Sequence, residues 1–297
     1  MELWPYVHPD IPRTFVEPHI LEYILKTRMS YGCFHHEIAY TSHTLPKRIL
    51  LGNACDTNAY HVFFFMIARF YYFDNQKDEI VYYYNNPQTP YLIEQALQHL
   101  PKRFRRETEK QEGYEYIEMP GLAWLSDGIL EPWIYEYVKE LYKEIWSSVK
   151  QEKGKYTYIS RNKRDISNRC CLNEDELVPL LKEAGFSCYT LNTLTFVDQI
   201  KLFRSSEVIT GVHGAGLAWL LFCEPGTSVV EIQHPSWGSE RGFYVDMGRR
   251  CNLHYHLFTN AREPTKEECE TYNGTDVIVD KNSYINALYY LIRKLHS

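Results

Sequence analysis

No Asp-x-Asp element, no Cys-x-x-Cys pair, no internal repeat and no low-complexity segment occurs in this chain. The first absence removes the common short acidic clamp for a divalent ion beside a phosphate. The second argues against a zinc site, and the adjacent Cys170 and Cys171 make a poor chelate. With 44% apolar residues the chain has no need of a disulfide framework, so its eight cysteines read as reduced, buried small residues. A basic excess is also missing. The formal net charge of -6 makes nucleic acid an unexpected partner. Met1-Glu2-Leu3-Trp4-Pro5 lacks the basic and apolar regions of a signal peptide. The longest apolar stretch, Tyr60 to Phe73, is too short for a transmembrane segment and contains Arg69. A soluble, cytoplasmic protein is therefore expected, with Asn273-Gly274-Thr275 a chance sequon.

What is present is an ordinary globular composition over 297 residues, enough for one large domain or two modest ones. The 25 tyrosines would suit carbohydrate contact, yet tyrosine is equally common core and surface filler, and that plainer reading is favoured. The second half alternates strand and helix. Strands are expected at 156–160, 187–191, 207–212 and 228–233. A helix from near Glu176 to Ala184 is expected to start late because of Pro179. Thr195-x-x-Asp198 resembles a capping box before a helix with Phe196, Ile200 and Phe203 on one face. This alternation predicts right-handed crossovers and a parallel sheet, hence an α/β, Rossmann-like domain. In the first half, strands are expected at 49–52, 79–84 and 114–119, with a buried helix from Asn58 to Tyr72 and an amphipathic one marked by Ile134 through Val149. The charged run Lys150 to Lys155 suits a linker. The expected domains are 1–150, 151–280 and a C-terminal helix, 281–297, packing back on the first domain.

Three motifs carry chemistry. Gly211-Val212-His213-Gly214-Ala215-Gly216-Leu217 lies between a predicted strand and a predicted helix. Glycines permit close backbone approach, and a helix start presents N–H groups and a positive dipole end to phosphate. His213 adds a donor beside them, although core packing would explain the same residues. Arg161 directly follows a strand, and Arg164 and Arg169 lie close behind. Strand carboxyl ends line the ligand crevice of an open α/β sheet, and arginine can grip diphosphate oxygens with two donors. A solvated basic loop is the alternative, favoured for Arg169 more than for Arg161. Glu231 sits inside the apolar run Val229-Val230-Glu231-Ile232, where a buried carboxylate needs a partner: a ribose diol, or a structural ion pair.

Together these features resemble family 61 glycosyltransferases, which include plant xylosyl- and arabinosyltransferases and animal O-linked N-acetylglucosaminyltransferases of EGF domains and dystroglycan. The pattern comprises Ile159-Ser160-Arg161, Arg169, Asn173-Glu174, Leu177, Leu181, Gly185-Phe186, Phe196, Gln199-Ile200, Phe203, Gly211, His213 through Leu217, Phe222, Pro225-Gly226 and Val230-Glu231-Ile232, over roughly 156 to 234. The resemblance implies a GT-B fold, two Rossmann-like domains facing a cleft, and transfer with inversion at the anomeric carbon. It implies a UDP-sugar donor (UDP-xylose first, UDP-N-acetylglucosamine second) and a glycan acceptor. The nucleotide-sugar site would comprise Arg161, Arg164, Arg169, His213, Gly214, Ala215, Gly216, Leu217 and Glu231. A weaker echo is Asn58-Ala59-Tyr60-His61, with Arg69 downstream. Family members often carry an acidic residue four positions after that histidine, where this chain has Phe65. They are usually Golgi enzymes with a membrane anchor; this chain reads as a soluble bacterial or viral enzyme, working in the host cytoplasm if viral.

Inverting transfer needs a base for the acceptor proton and positive charge for the departing diphosphate. Arg161, Arg164 and the helix start after His213 can supply that charge, so no metal and no other cofactor is expected. His61, Asp56 and Asp127 are the candidate bases, each with a plainer reading as a turn or cap residue. A non-catalytic nucleotide-sugar-binding module is the rival, favoured by Phe65. A sugar epimerase would need the full dinucleotide fingerprint, which is missing.

Overall fold

Short strands of four or five residues build two all-parallel sheets. The computed structural model describes residues 47–51, 58–74, 76–118, 132–161, 169–235, 243–268 and 276–297. Described residues up to Tyr142 form one compact unit, and those from Lys143 onward form a second. Both units are mixed α/β with crossover connections, as the alternation predicts.

In the first unit β1 (Lys47–Leu50), β2 (Ile80–Tyr83), β3 (Phe104–Glu107) and β4 (Glu115–Glu118) pair in parallel in the order β3-β2-β1-β4. Between β1 and β2 runs a helical segment, α1. It is α-helical over Ala59–His61, a π-helix over Val62–Met66 and a 3-10 helix over Ile67–Tyr72. Phe63, Phe64, Met66 and Phe70 are fully buried. Phe70 meets Tyr82 and Phe104 edge-on at 5.1 and 5.0 Å, a favoured aromatic geometry. The helices α2 (Tyr91–Gln98) and α3 (Pro132–Leu141) complete the unit. Buried Asp74 accepts two hydrogen bonds from Arg103 and one from the Tyr137 hydroxyl, so its charge is matched inside the core.

The long amphipathic helix expected from Ile134 to Val149 is instead two helices. α3 ends at Leu141, and α4 spans Lys143–Ser147. The break falls at Tyr142, a buried side chain whose hydroxyl donates to the Ala96 carbonyl of the first unit, while Trp146 of α4 lies under the Arg204 guanidinium of the second. The two halves thus belong to different units.

The second unit carries β5 (Tyr156–Ile159), β6 (Phe186–Tyr189), β7 (Val208–Val212), β8 (Ser228–Ile232) and β9 (His254–Phe258), all parallel, in the order β6-β5-β7-β8-β9. This is a doubly wound order that reverses direction between β5 and β7, and ligands of such sheets bind outside the strand carboxyl ends at that reversal. The crossovers include α5 (Glu174–Glu183), α6 (Phe196–Ser205), a 3-10 helix (Ala215–Phe222) and α7 (Phe243–Arg250). The cap at Thr195 forms as expected. Its hydroxyl accepts from the Asp198 amide and donates to the Asp198 carboxylate. Two expectations differ. α5 begins at Glu174 with Pro179 inside it. The acidic residues Glu174, Asp175 and Glu176 in the first turn complement the helix dipole and help offset the hydrogen bond lost at proline. The segment after Gly214 is a 3-10 helix rather than an α-helix, fully buried from Leu217 to Phe222. A last helix, α8 (Lys281–Leu295), is capped by Asp280 and buries Tyr284, Ile285 and Leu288 in the same core as Leu177 and Leu181 of α5. The small β10 (Ala261–Arg262) and β11 (Ile278–Val279) pair antiparallel.

Candidate functional site

The end of β5 is fixed by one buried carboxylate. Glu174, the first residue of α5 and 1% exposed, accepts from the Tyr158 hydroxyl (2.7 Å), the Ser160 hydroxyl (2.8 Å) and the Arg161 backbone amide (3.0 Å). Three donors on one carboxylate hold the strand end rigid where Arg161 leaves it. In sequence Glu174 stands only within the Asn173-Glu174 step of the resemblance, ahead of the expected helix start and with no role attached.

Arg161 reaches across to the neighbouring strand and donates from Nη1 to the His213 carbonyl at 2.7 Å. Burial works against its positive charge and lowers its pKa; the like charge of Arg169 adds to the effect. The structure therefore brings Arg161, Arg169 and the 211–217 turn together, with two cations in one partly enclosed place. Arg164 lies outside the described residues.

The glycines of the turn are explained by close approach. Gly211 pairs with Ile159, and a β-carbon there would lie 2.9 Å from the Ile159 carbonyl oxygen. One at Gly214 would overlap the Arg161 guanidinium. Gly216 packs under Leu191. Two of the three thus have packing reasons, and Gly214 makes room for the cation. Leu217 closes the turn by donating its amide to the Gly214 carbonyl at 2.8 Å and is itself buried; Ala215 beside it is half-buried.

His213, just past the end of β7, faces Glu231 of β8, in contact between Nδ1 and Oε1. The other oxygen of Glu231 accepts from the Tyr255 hydroxyl of β9 at 2.6 Å. His213 is 4% exposed and Glu231 1%. Burial first, and the Glu231 charge second, push the Tyr255 hydroxyl well above its ordinary pKa, so it stays a donor. Tyr244 of α7 meets the His213 ring edge-on at 5.2 Å. The partner that a buried carboxylate requires is thus met by His213 and Tyr255. Tyr255 was missed in sequence because β9 has no apolar run.

In the first unit Asn58 caps α1. Its Oδ1 accepts from the His61 amide at 3.0 Å, and its Nδ2 lies 3.3 Å from His61 Nδ1. His61 is half-buried, and its ring lies 5.1 Å from that of Phe65. Arg69 is buried. The candidates Asp56 and Asp127 lie outside the described residues. Among the described residues no group of three or more His, Cys, Asp or Glu is placed to hold a metal ion, and no helix is long and apolar enough to cross a membrane.

Comparison with known proteins gives this geometry a family. An EGF domain-specific O-linked N-acetylglucosamine transferase of Mus musculus is 32% identical over 108 residues, which is 35% of this chain and 19% of that protein. The Drosophila melanogaster protein of the same name is 31% identical over 108 residues, 35% of this chain and 20% of its own length. A xylan glycosyltransferase of Arabidopsis thaliana is 29% identical over 143 residues, covering 45% of this chain and 27% of its own. The chain thus matches about a fifth to a quarter of the length of these relatives. The family Glycosyltransferase 61 matches residues 23–230, most of the chain, from before β1 to within β8. The chain belongs to glycosyltransferase family 61.

Proposed function

We propose that this chain is an inverting glycosyltransferase of the GT-B type that moves a sugar from a UDP-sugar to a glycan hydroxyl without a metal ion. The observation that carries the reading is the Arg161 guanidinium, held by the His213 carbonyl against Gly214 where the sheet order reverses. A nucleoside diphosphate supplies what this place is short of. Its negative charge offsets both the burial of Arg161 and the repulsion from Arg169. Arg161, Arg164 and Arg169 would take the diphosphate, with His213 through Leu217 forming the adjoining wall. Glu231, expected from the sequence as part of the nucleotide-sugar site, would act through His213, which it holds in place.

UDP-xylose and UDP-N-acetylglucosamine are the donors to test. The family resemblance puts xylose first, and relatives with either xylan or N-acetylglucosamine in their names match the chain. The base would come from the first half of the chain, from His61, Asp56 or Asp127. A non-catalytic nucleotide-sugar-binding module is the second reading, favoured by Phe65 in place of a carboxylate. Incubation with a panel of UDP-sugars separates the two. Release of UDP supports the enzyme; tight binding without turnover supports the module; neither binding nor turnover overturns both.

A further inference from the structure

Tyr255 stands on β9, three strands from β5, yet a line of contacts joins it to Arg161 across the sheet. Its hydroxyl, kept a donor by burial, gives to Glu231 Oε2 at 2.6 Å. Glu231 Oε1 meets His213 Nδ1. The His213 carbonyl accepts from Arg161 Nη1 at 2.7 Å. Glu231 and His213 are both buried, so bulk water does not replace a lost link.

His213 needs this line because the residue after it is Gly214. The His213 amide is fixed on the Ile232 carbonyl at 3.0 Å. Its own carbonyl belongs to the peptide shared with glycine, whose backbone turns more freely than that of any other residue. The clamp on the ring opposes that turning, and the carbonyl stays where Arg161 meets it. Helix α7 backs the same line at two places one turn apart. Tyr244 meets the His213 ring edge-on, and Gly248 lies so close to Tyr255 that a β-carbon there would fall 2.4 Å from ring carbon Cδ2. Tyr255 lies beyond residue 230, where the family match ends.

We propose that Tyr255 is a positioning residue for the nucleotide: through Glu231 and His213 it holds the carbonyl that seats the Arg161 guanidinium for a diphosphate. The proposal rests on the diphosphate reading of Arg161 and adds a residue that sets its geometry. All of its parts lie in the second unit.

UDP is the probe, and its affinity is measured by calorimetric titration of the full chain in four forms: wild type, Tyr255→Phe, Arg161→Ala and the double variant. Tyr255→Phe keeps the ring under α7 and removes only the hydroxyl. Expected is a loss of roughly three- to thirtyfold in UDP affinity for Tyr255→Phe, the scale of an effect passed through a packed network. In the Arg161→Ala background the same change should cost less than about twofold, because the group it positions is gone. A merely structural tyrosine would lower the melting temperature in both backgrounds and show no such dependence on Arg161. Gly248→Ala is a second route, since it displaces the same ring and removes no polar group; it should show the same loss and the same dependence. A loss under about threefold in both variants with Arg161 intact, or a loss of equal size with and without Arg161, overturns the proposal. If the wild-type protein binds no UDP, the diphosphate reading falls and takes this proposal with it. If the wild type binds UDP and both variants bind it equally well, this proposal alone is wrong.

Discussion

Replacing Arg161 with alanine should separate binding from stability, because the structure sets the two effects in different directions. A hydrogen bond from the guanidinium to a phosphate oxygen is worth about 1.5–3 kcal/mol. At about 1.4 kcal/mol per decade, UDP affinity should fall roughly ten- to a hundredfold. The folded state gains and loses at once. Removing the side chain leaves the His213 carbonyl without the 2.7 Å bond from Nη1, at a cost of about 1–3 kcal/mol. It also removes a buried cation that burial and Arg169 both disfavour. These terms offset, and at roughly 2–4 °C per kcal/mol the melting temperature should move by only a few degrees. Calorimetric titration with UDP and a thermal melt, run on the same preparation, read both quantities. Unchanged UDP affinity with a clearly lowered melting temperature would refute the reasoning and make Arg161 a structural residue.

Three further outcomes are expected. Glu231→Ala removes two hydrogen bonds to a buried charged acceptor, from His213 and Tyr255, and should cost about 3 kcal/mol or more in a urea melt. A cost under about 1 kcal/mol would show that the cluster does not support the fold. Turnover should persist in EDTA, since Arg161 and Arg169 replace a metal in the proposal; complete loss restored by manganese would contradict it. Burial pushes the Tyr82 hydroxyl up to about 12 and those of Tyr142, Tyr158 and Tyr255 well above 10. A pKa raised by folding contributes stability that is intact below pH 10 and is lost as pH rises beyond it. The exposed tyrosines, Tyr91 and Tyr290 among them, should ionise near pH 10 with the fold intact, and a second rise in tyrosinate absorbance should come in step with loss of circular dichroism at higher pH; ionisation of all the tyrosines in one step near 10 with the fold intact would place the buried rings at the surface.

Much of the second unit was legible because its central strands are buried on both faces and rich in β-branched and aromatic residues. β5, β7 and β8 each read as short β-prone runs, and Arg161 and His213 stand out as the polar residues that follow them. Of the edge strands, β4 and β6 fall on the runs expected at 114–119 and 187–191, whereas β3 and β9 were not legible. β3 is Phe104-Arg105-Arg106-Glu107, and β9 begins His254-Tyr255-His256; an outer strand needs fewer buried positions, so neither forms an apolar run. The misses near the site share one cause. Glu174 and Tyr255 act through contacts 13 and 24 residues away in the chain, and no local pattern marks them. Pro179 pointed to a late helix start because a single lost hydrogen bond was weighed without the three acidic residues ahead of it. Glycine spacing suggested a phosphate cradle, whereas Gly211 and Gly216 answer to Ile159 and Leu191; that distinction depends on which strand lies alongside, which spacing cannot give.

A crystal structure with UDP bound tests the central claim most directly. The account predicts the diphosphate outside the carboxyl ends of β5 and β7, with an oxygen at about 2.7–3.2 Å from the Arg161 guanidinium and beside Gly214. A diphosphate bound elsewhere, with Arg161 still turned only to the His213 carbonyl, would contradict it.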